Sequence, residues 1–225
     1  MAYIRKEPIG DVKVNVTETE VDTLKLVRSI AAAKMLKDND DAFMLVNIDA
    51  LYERYRLWKK ELPNVEPFYA VKCNTNETII RVLASLGVGF DCASREEIDT
   101  VLRLGVAPER IIYANPCKTR SFIVHAEEKD VKMMTFDSTE ELKKITALHS
   151  APELILRIAV SDPTATCPLN LKFGAEPVKA AAELLKQASA MGVNVCGVSF
   201  HVGSGVNDPS AYRNALKHSR LLHSC

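Results

Sequence analysis

No stretch of this sequence approaches the ~20 apolar residues that a helix needs to span a bilayer. The opening MAYIRKEPIG lacks the basic-then-apolar pattern of a secretion signal. Net charge is missing as well: 29 basic residues balance 29 acidic ones, leaving no long-range field to draw the chain to nucleic acid or an anionic membrane. Six cysteines (Cys73, Cys92, Cys117, Cys167, Cys196, Cys225) form no CxxC pair and no CxxC…HxxxH spacing, so no metal is expected. Their wide spacing suits reduced thiols buried as small hydrophobes, and a soluble, cytoplasmic protein is the expectation. There is no internal repeat, no low-complexity tract, and no GxGxxG after an early strand, which weakens a dinucleotide-binding reading.

What is present is alternation. From about residue 42, after an N-terminal segment (1–41), short apolar runs recur: AFMLVNI (42–48), PFYAVK (67–72), VGFDCA (88–93), RIIYAN (110–115), VKMMTFD (131–137), ELILRIA (153–159) and GVSFHV (197–202). They are short, rich in β-branched or aromatic residues and apolar on both faces, as buried parallel strands are. Between them lie amphipathic helical patterns. ALYERYRLWKKEL aligns Leu51, Tyr55, Trp58 and Leu62, and ETIIRVLASLG aligns Ile79, Ile80, Leu83 and Leu86 before a C-terminal glycine. STEELKKITALH opens on a capping-box pattern. Repeating βα units give either an open doubly wound sheet or a (β/α)8 barrel. The barrel is preferred, because functional-looking residues sit at successive strand ends. One long interval, VSDPTATCPLNLKFGAEP (160–177), falls where a barrel's long catalytic loops are expected.

Five residues at strand ends could carry chemistry. Lys72 closes PFYAVK; its amine is nucleophilic only when deprotonated, which partial burial favours, although a lysine there could simply snorkel over the strand end. Asp91 in GFDCAS could equally cap the next helix. Arg157 interrupts LILRIA and must meet an anion, with Asp91 or Glu97 as candidate ion-pair partners. His201 precedes the turn Gly203-Ser204-Gly205, whose N–H groups and hydroxyl could form a concavity for phosphate oxygens. A lone core histidine and a common turn would look the same. Convergence of all five on strand C-terminal ends is what favours a site. His125, His149, His218 and His223 are expected to be solvated, and AEEKDVK to be a helix end with its exposed turn.

The motifs PFYAVKCN, GFDCAS, ERIIYANPCK, MMTFDS, LILRIA, LKFGA and GVSFHVGSG, in that order over about residues 40–212, resemble the eukaryotic ornithine decarboxylases of the alanine-racemase-like fold. The resemblance implies an α/β chain with an incomplete (β/α)8 barrel over residues 42–225, about six of eight βα units, binding pyridoxal 5'-phosphate (PLP). Lys72 would form the Schiff base with PLP, His201 would stack on its ring, Ser204 would bind its phosphate, and Asp91 and Arg157 would line the pocket. The implied reaction converts ornithine to putrescine and carbon dioxide. Asn170 stands where the family pattern has serine, in the loop before Lys172. The family's phosphate-clamping glycine loop, its pyridine-pairing glutamate and its C-terminal β domain all fall past the last residue. This polypeptide alone is therefore expected to have little or no decarboxylase activity. Alternatives are a non-catalytic regulator that binds antizyme, as antizyme inhibitors do through a region overlapping residues 119–144, and a decarboxylase of diaminopimelate or arginine. A homodimer is the implied full-length assembly.

Overall fold

The computed structural model describes residues 4–9, 12–17, 19–160, 165–167 and 172–222; Asn170, His223 and Cys225 lie outside them. Two compact units emerge, Met1–Pro67 with Asn76–Gly87, and Phe68–Thr75 with Val88–Cys225. Among the described residues no helix is long and apolar enough to cross a membrane.

The first unit holds an antiparallel hairpin of β1 (Ile4–Ile9) and β2 (Val12–Thr17), then helices α1 (Thr23–Met35), α2 (Asp49–Glu61) and α3 (Glu77–Ser85). Side chains start two of these helices: Asp22 accepts from the Lys25 N–H and Asn76 from the Thr78 N–H. Helix α3 ends at Gly87, whose φ of +85° explains the glycine. The strand expected at 42–48 is not formed. Residues 41–47 run irregularly with Phe43, Met44, Leu45 and Val46 exposed, and among the described residues no strand pairs with them. An apolar, β-branched run becomes a strand only where a neighbour completes its ladder. The hairpin and α1 have no counterpart in the sequence reading.

The second unit alternates β3 (Phe68–Ala70), β4 (Gly89–Cys92), α4 (Arg95–Arg103), β5 (Ile111–Tyr113), α5 (Arg120–Glu128), β6 (Met133–Phe136), α6 (Thr139–Thr146), β7 (Glu153–Ile158), α7 (Lys179–Ala190), β8 (Asn194–Phe200) and α8 (Ser210–Leu222). Its six strands are all parallel and stand side by side in chain order, β3 to β8. A doubly wound sheet reverses order at a switch point, whereas a (β/α) barrel does not. The fold is an incomplete barrel of six strands.

Strand registers give the sheet two different faces. Phe90, Cys92, Ile111, Tyr113, Met134, Phe136, Leu154 and Leu156 share one face and are fully buried. The helices supply Ile98, Val101, Ile123, Leu142, Ile145, Ala181 and Ala188 from equally buried stripes. Each large side chain so buried stabilises by roughly 1.5–3 kcal/mol. The other face carries Ala70, Asp91, Ile112, Met133, Ile155, Arg157 and Ser199. Both-face apolarity was the expectation; the helix-covered face has it throughout, while the other face mixes apolar Ala70, Ile112, Met133 and Ile155 with polar Asp91, Arg157 and Ser199.

Polar anchors cross between helices. His125 and His149, expected to be solvated, are 3% and 4% exposed. His125 Nε2 lies 2.8 Å from Asp99, and His149 Nδ1 lies 2.8 Å from Glu127. A carboxylate partner is what lets an imidazole sit inside. His218 is also half-covered rather than free in solvent.

Candidate functional site

The five expected residues fall on one face and lip of the second unit. Lys72 does not end strand β3. It sits one turn beyond, in a short 3-10 segment (Val71–Cys73). Its side chain is 60% exposed, so burial is not what activates it; Nζ lies 3.3 Å from Asp91 Oδ1. Asp91 is held mid-strand by pairing opposite Ala70, and it is not the cap of α4. That role belongs to Ser94, whose hydroxyl accepts from the Glu97 N–H, while Glu97 accepts from the Ala93 N–H. Glu97 is thereby engaged at the helix start and does not serve as the partner of Arg157.

Arg157 lies on β7 opposite Ser199. Burial pushes its pKa down, and Asp137 and then Asp91 pull it back. The guanidinium also stands over the Phe173 ring, 5.1 Å from its centroid. Asp137, at the end of β6, was missed from the sequence. The signal was there, since GFDCAS and MMTFDS share the same Phe-Asp strand ending.

His201 follows β8 directly. Its Nδ1 accepts from the Gly203 N–H at 3.0 Å, so in the neutral ring the proton sits on Nε2. Its pKa is lowered, first by burial, then by the positive charges of Arg157 and Lys72, with Asp91 opposing. Lys72 and Asp91 are thus in contact, and with Arg157 they act electrostatically on His201 at the same end of the sheet. Burial and the two cations disfavour the imidazolium, and the bond from the Gly203 N–H orients the ring.

Ser204 corrects another expectation. The glycine turn was read as offering free backbone N–H groups to an anion. Instead the Gly203 N–H is committed to His201, and the Ser204 N–H donates to Cys167 O at 3.0 Å, with Cys167 N–H returning the bond. Gly205 is packed closely, since a Cβ there would lie 2.5 Å from Thr166 Oγ1. With the Gly203 and Ser204 N–H groups committed, the Ser204 hydroxyl is the side-chain group the turn can offer an anion. A further hydroxyl stands ready: Ser199 Oγ is buried beside Arg157 and has no hydrogen-bond partner among the described residues. An amine, a guanidinium, two hydroxyls and a flat neutral ring form a donor set suited to an anionic aromatic aldehyde such as PLP.

Residues 48–224 match the model of the pyridoxal-dependent decarboxylase, pyridoxal binding domain. The chain is 66% identical to the ornithine decarboxylase of Caenorhabditis elegans over 216 residues, 96% of this chain and 51% of that protein. It is 47% identical to antizyme inhibitor 2 of Xenopus laevis over 185 residues, 82% of this chain and 40% of that one. Among solved structures, the arginine decarboxylase of Paramecium bursaria Chlorella virus superposes with a TM-score of 0.84 at 37% identity, covering 89% of this chain and 53% of that one. The chain spans about half the length of the curated relatives it matches. With a six-strand barrel topology and a lysine, aspartate, arginine and histidine gathered on its lip, it belongs to the pyridoxal-dependent decarboxylase family and carries that family's pyridoxal-binding domain.

Proposed function

We propose that this chain holds PLP and contributes that half-site to decarboxylation of a basic amino acid, with L-ornithine the leading substrate and putrescine and carbon dioxide the products. The observation that carries this reading is the Lys72–Asp91 ion pair at the strand ends, with Arg157 on the same sheet face and His201 directly after the neighbouring strand. Bound PLP would supply an electron sink for the pair left on the α-carbon as carbon dioxide departs; the protein's task is to hold and orient it. Lys72 provides the amine, with Asp91 Oδ1 fixing its position. His201 presents a neutral face for stacking, because its Nδ1 is committed to Gly203. Ser204 offers a hydroxyl to the phosphate, and Arg157 supplies a fixed cation at the rim. Ornithine leads over lysine, arginine or diaminopimelate because of the 66% identity to a curated ornithine decarboxylase.

The test is to mix the purified chain with PLP, record the visible spectrum, reduce with borohydride and map the labelled peptide. A lysine-linked chromophore with label confined to Lys72 is the expected result. Label scattered over surface lysines would defeat the reading. A second reading, a regulator that binds antizyme, rests on the 47% identity to an antizyme inhibitor. Stoichiometric capture of purified antizyme by a chain that takes no PLP at Lys72 would favour it. Retention of a paired Lys72 and Asp91 favours the first reading, since a pure decoy needs no cofactor lysine. A homodimer of the full-length form belongs to the same proposal.

A further inference from the structure

We propose that Phe173 and Asp137 are positioning residues that fix the Arg157 guanidinium at the rim of the site, an inference that rests on the PLP reading only for its consequence. The segment Lys172–Ala175 returns to the lip of β7 as one more parallel bridge, Ile158 opposite Ala175. Two backbone bonds secure it: the Ala159 N–H donates to Ala175 O at 2.8 Å, and the Ala175 N–H donates to Arg157 O at 2.9 Å. Asp137 adds a third anchor from β6 by accepting the Gly174 N–H at 2.7 Å. Gly174 has no room for a side chain, because a Cβ would lie 2.5 Å from the Ala159 nitrogen, and its φ is +103°.

The consequence is that Phe173 is delivered over Arg157, 5.1 Å from ring centroid to guanidinium carbon, while the same ring carries Lys172 Nζ at 4.9 Å. A guanidinium held against an aromatic ring keeps its N–H edges free while its plane is fixed. Asp137 serves twice, tethering Gly174 and offsetting the half-buried cation. Neither residue need touch a ligand; both act through Arg157.

The experiment is arginine labelling with phenylglyoxal, read residue by residue by peptide mass spectrometry on the chain without added PLP. Phe173→Leu should speed labelling at Arg157 by roughly three- to tenfold, the scale of a lost cation–π contact. Phe173→Trp should restore the slow rate, and Arg95 and Arg103 should be unchanged throughout. Equal Arg157 rates in the wild type and in Phe173→Leu would overturn the proposal. Where Phe173→Leu speeds every arginine alike, the variant has lost its fold and Asp137→Asn decides: faster labelling confined to Arg157 supports the proposal, an unchanged rate overturns it. A PLP titration separates the two readings. A wild-type chain that takes PLP at Lys72, with weaker uptake in Phe173→Leu, supports both. A wild-type chain that takes none defeats the PLP reading while the labelling result stands by itself.

Discussion

Lys72 and Lys118 show how differently one side chain type is used in this protein. Lys72 is largely open to solvent and meets one carboxylate oxygen. Lys118 is fully buried: its Nζ donates to Asn115 O at 3.1 Å and Thr135 O at 2.7 Å and pairs with Glu141 Oε1 at 2.8 Å. Glu141 also accepts the Lys118 N–H and pairs with Lys144 at 2.6 Å. Burial pushes the Lys118 pKa down and Glu141 opposes it. Removing one partner would strand a charge, so Glu141→Gln should cost roughly 3–5 kcal/mol in urea unfolding. Lys72→Ala, by contrast, should leave the unfolding midpoint almost unmoved and abolish specific PLP labelling. His201 gives the pH prediction. Its folded pKa lies below the ordinary 6.5, chiefly through burial and then through Arg157. The unfolded chain therefore binds this proton first. Stability from His201 is complete above 6.5 and declines as pH falls from there through the lower folded value. Arg157→Gln should raise the His201 midpoint in an NMR titration, because one of the two opposing cations is removed.

At the scale of elements, glycines separate tight from tolerant positions. A Cβ on Gly89 would first meet the Phe68 ring, 2.6 Å away, and Phe68 is 42% exposed, so its ring can swing aside. A Cβ on Gly174 would meet backbone, at a positive φ. Gly174→Ala should therefore lower stability by roughly 1–3 kcal/mol, and Gly89→Ala by clearly less, in the same denaturation series. Elements whose pattern is set locally were legible in the sequence: α2, α3 and α6 declare themselves by apolar stripes or caps, and β4 to β8 by short apolar runs. The run at 42–48 looked identical to them and failed, because pairing is a property of neighbours that composition does not contain. The placement of the candidate residues at strand ends was legible. Asp137 carries the same Phe-Asp strand ending as Asp91 and was readable from it; the roles of Phe173 and Lys118 were not, since they arise where distant chain segments meet (Lys118 and Glu141 are 23 apart). The commitment of the Ser204 N–H to Cys167 was hidden for the same reason.

On the scale of the whole sheet, β3 and β8 are the outer strands, each with one edge unpaired among the described residues. Beside β8 runs a groove of about 1410 Å³ between α7 and α8, lined in part by Leu185, Val195, Val198 and Leu216. Helix α8 adds Tyr212, Leu216 and Leu221, between 50% and 65% exposed. An unpaired strand edge next to an apolar groove is a template for association, which native proteins block with charge, cover or closure. The 225-residue chain should accordingly self-associate as its concentration rises, through this flank of the sheet. Sedimentation velocity over a concentration series tests it. Leu216→Lys places a charge on the groove wall, where the side chain is already 59% exposed, so folding should be unaffected and association reduced. Retention of association in Leu216→Lys, with an unchanged circular dichroism spectrum, would move the contact elsewhere. Loss of association would show that the flank of β8, rather than the lip bearing Lys72, is where this chain most needs a neighbour.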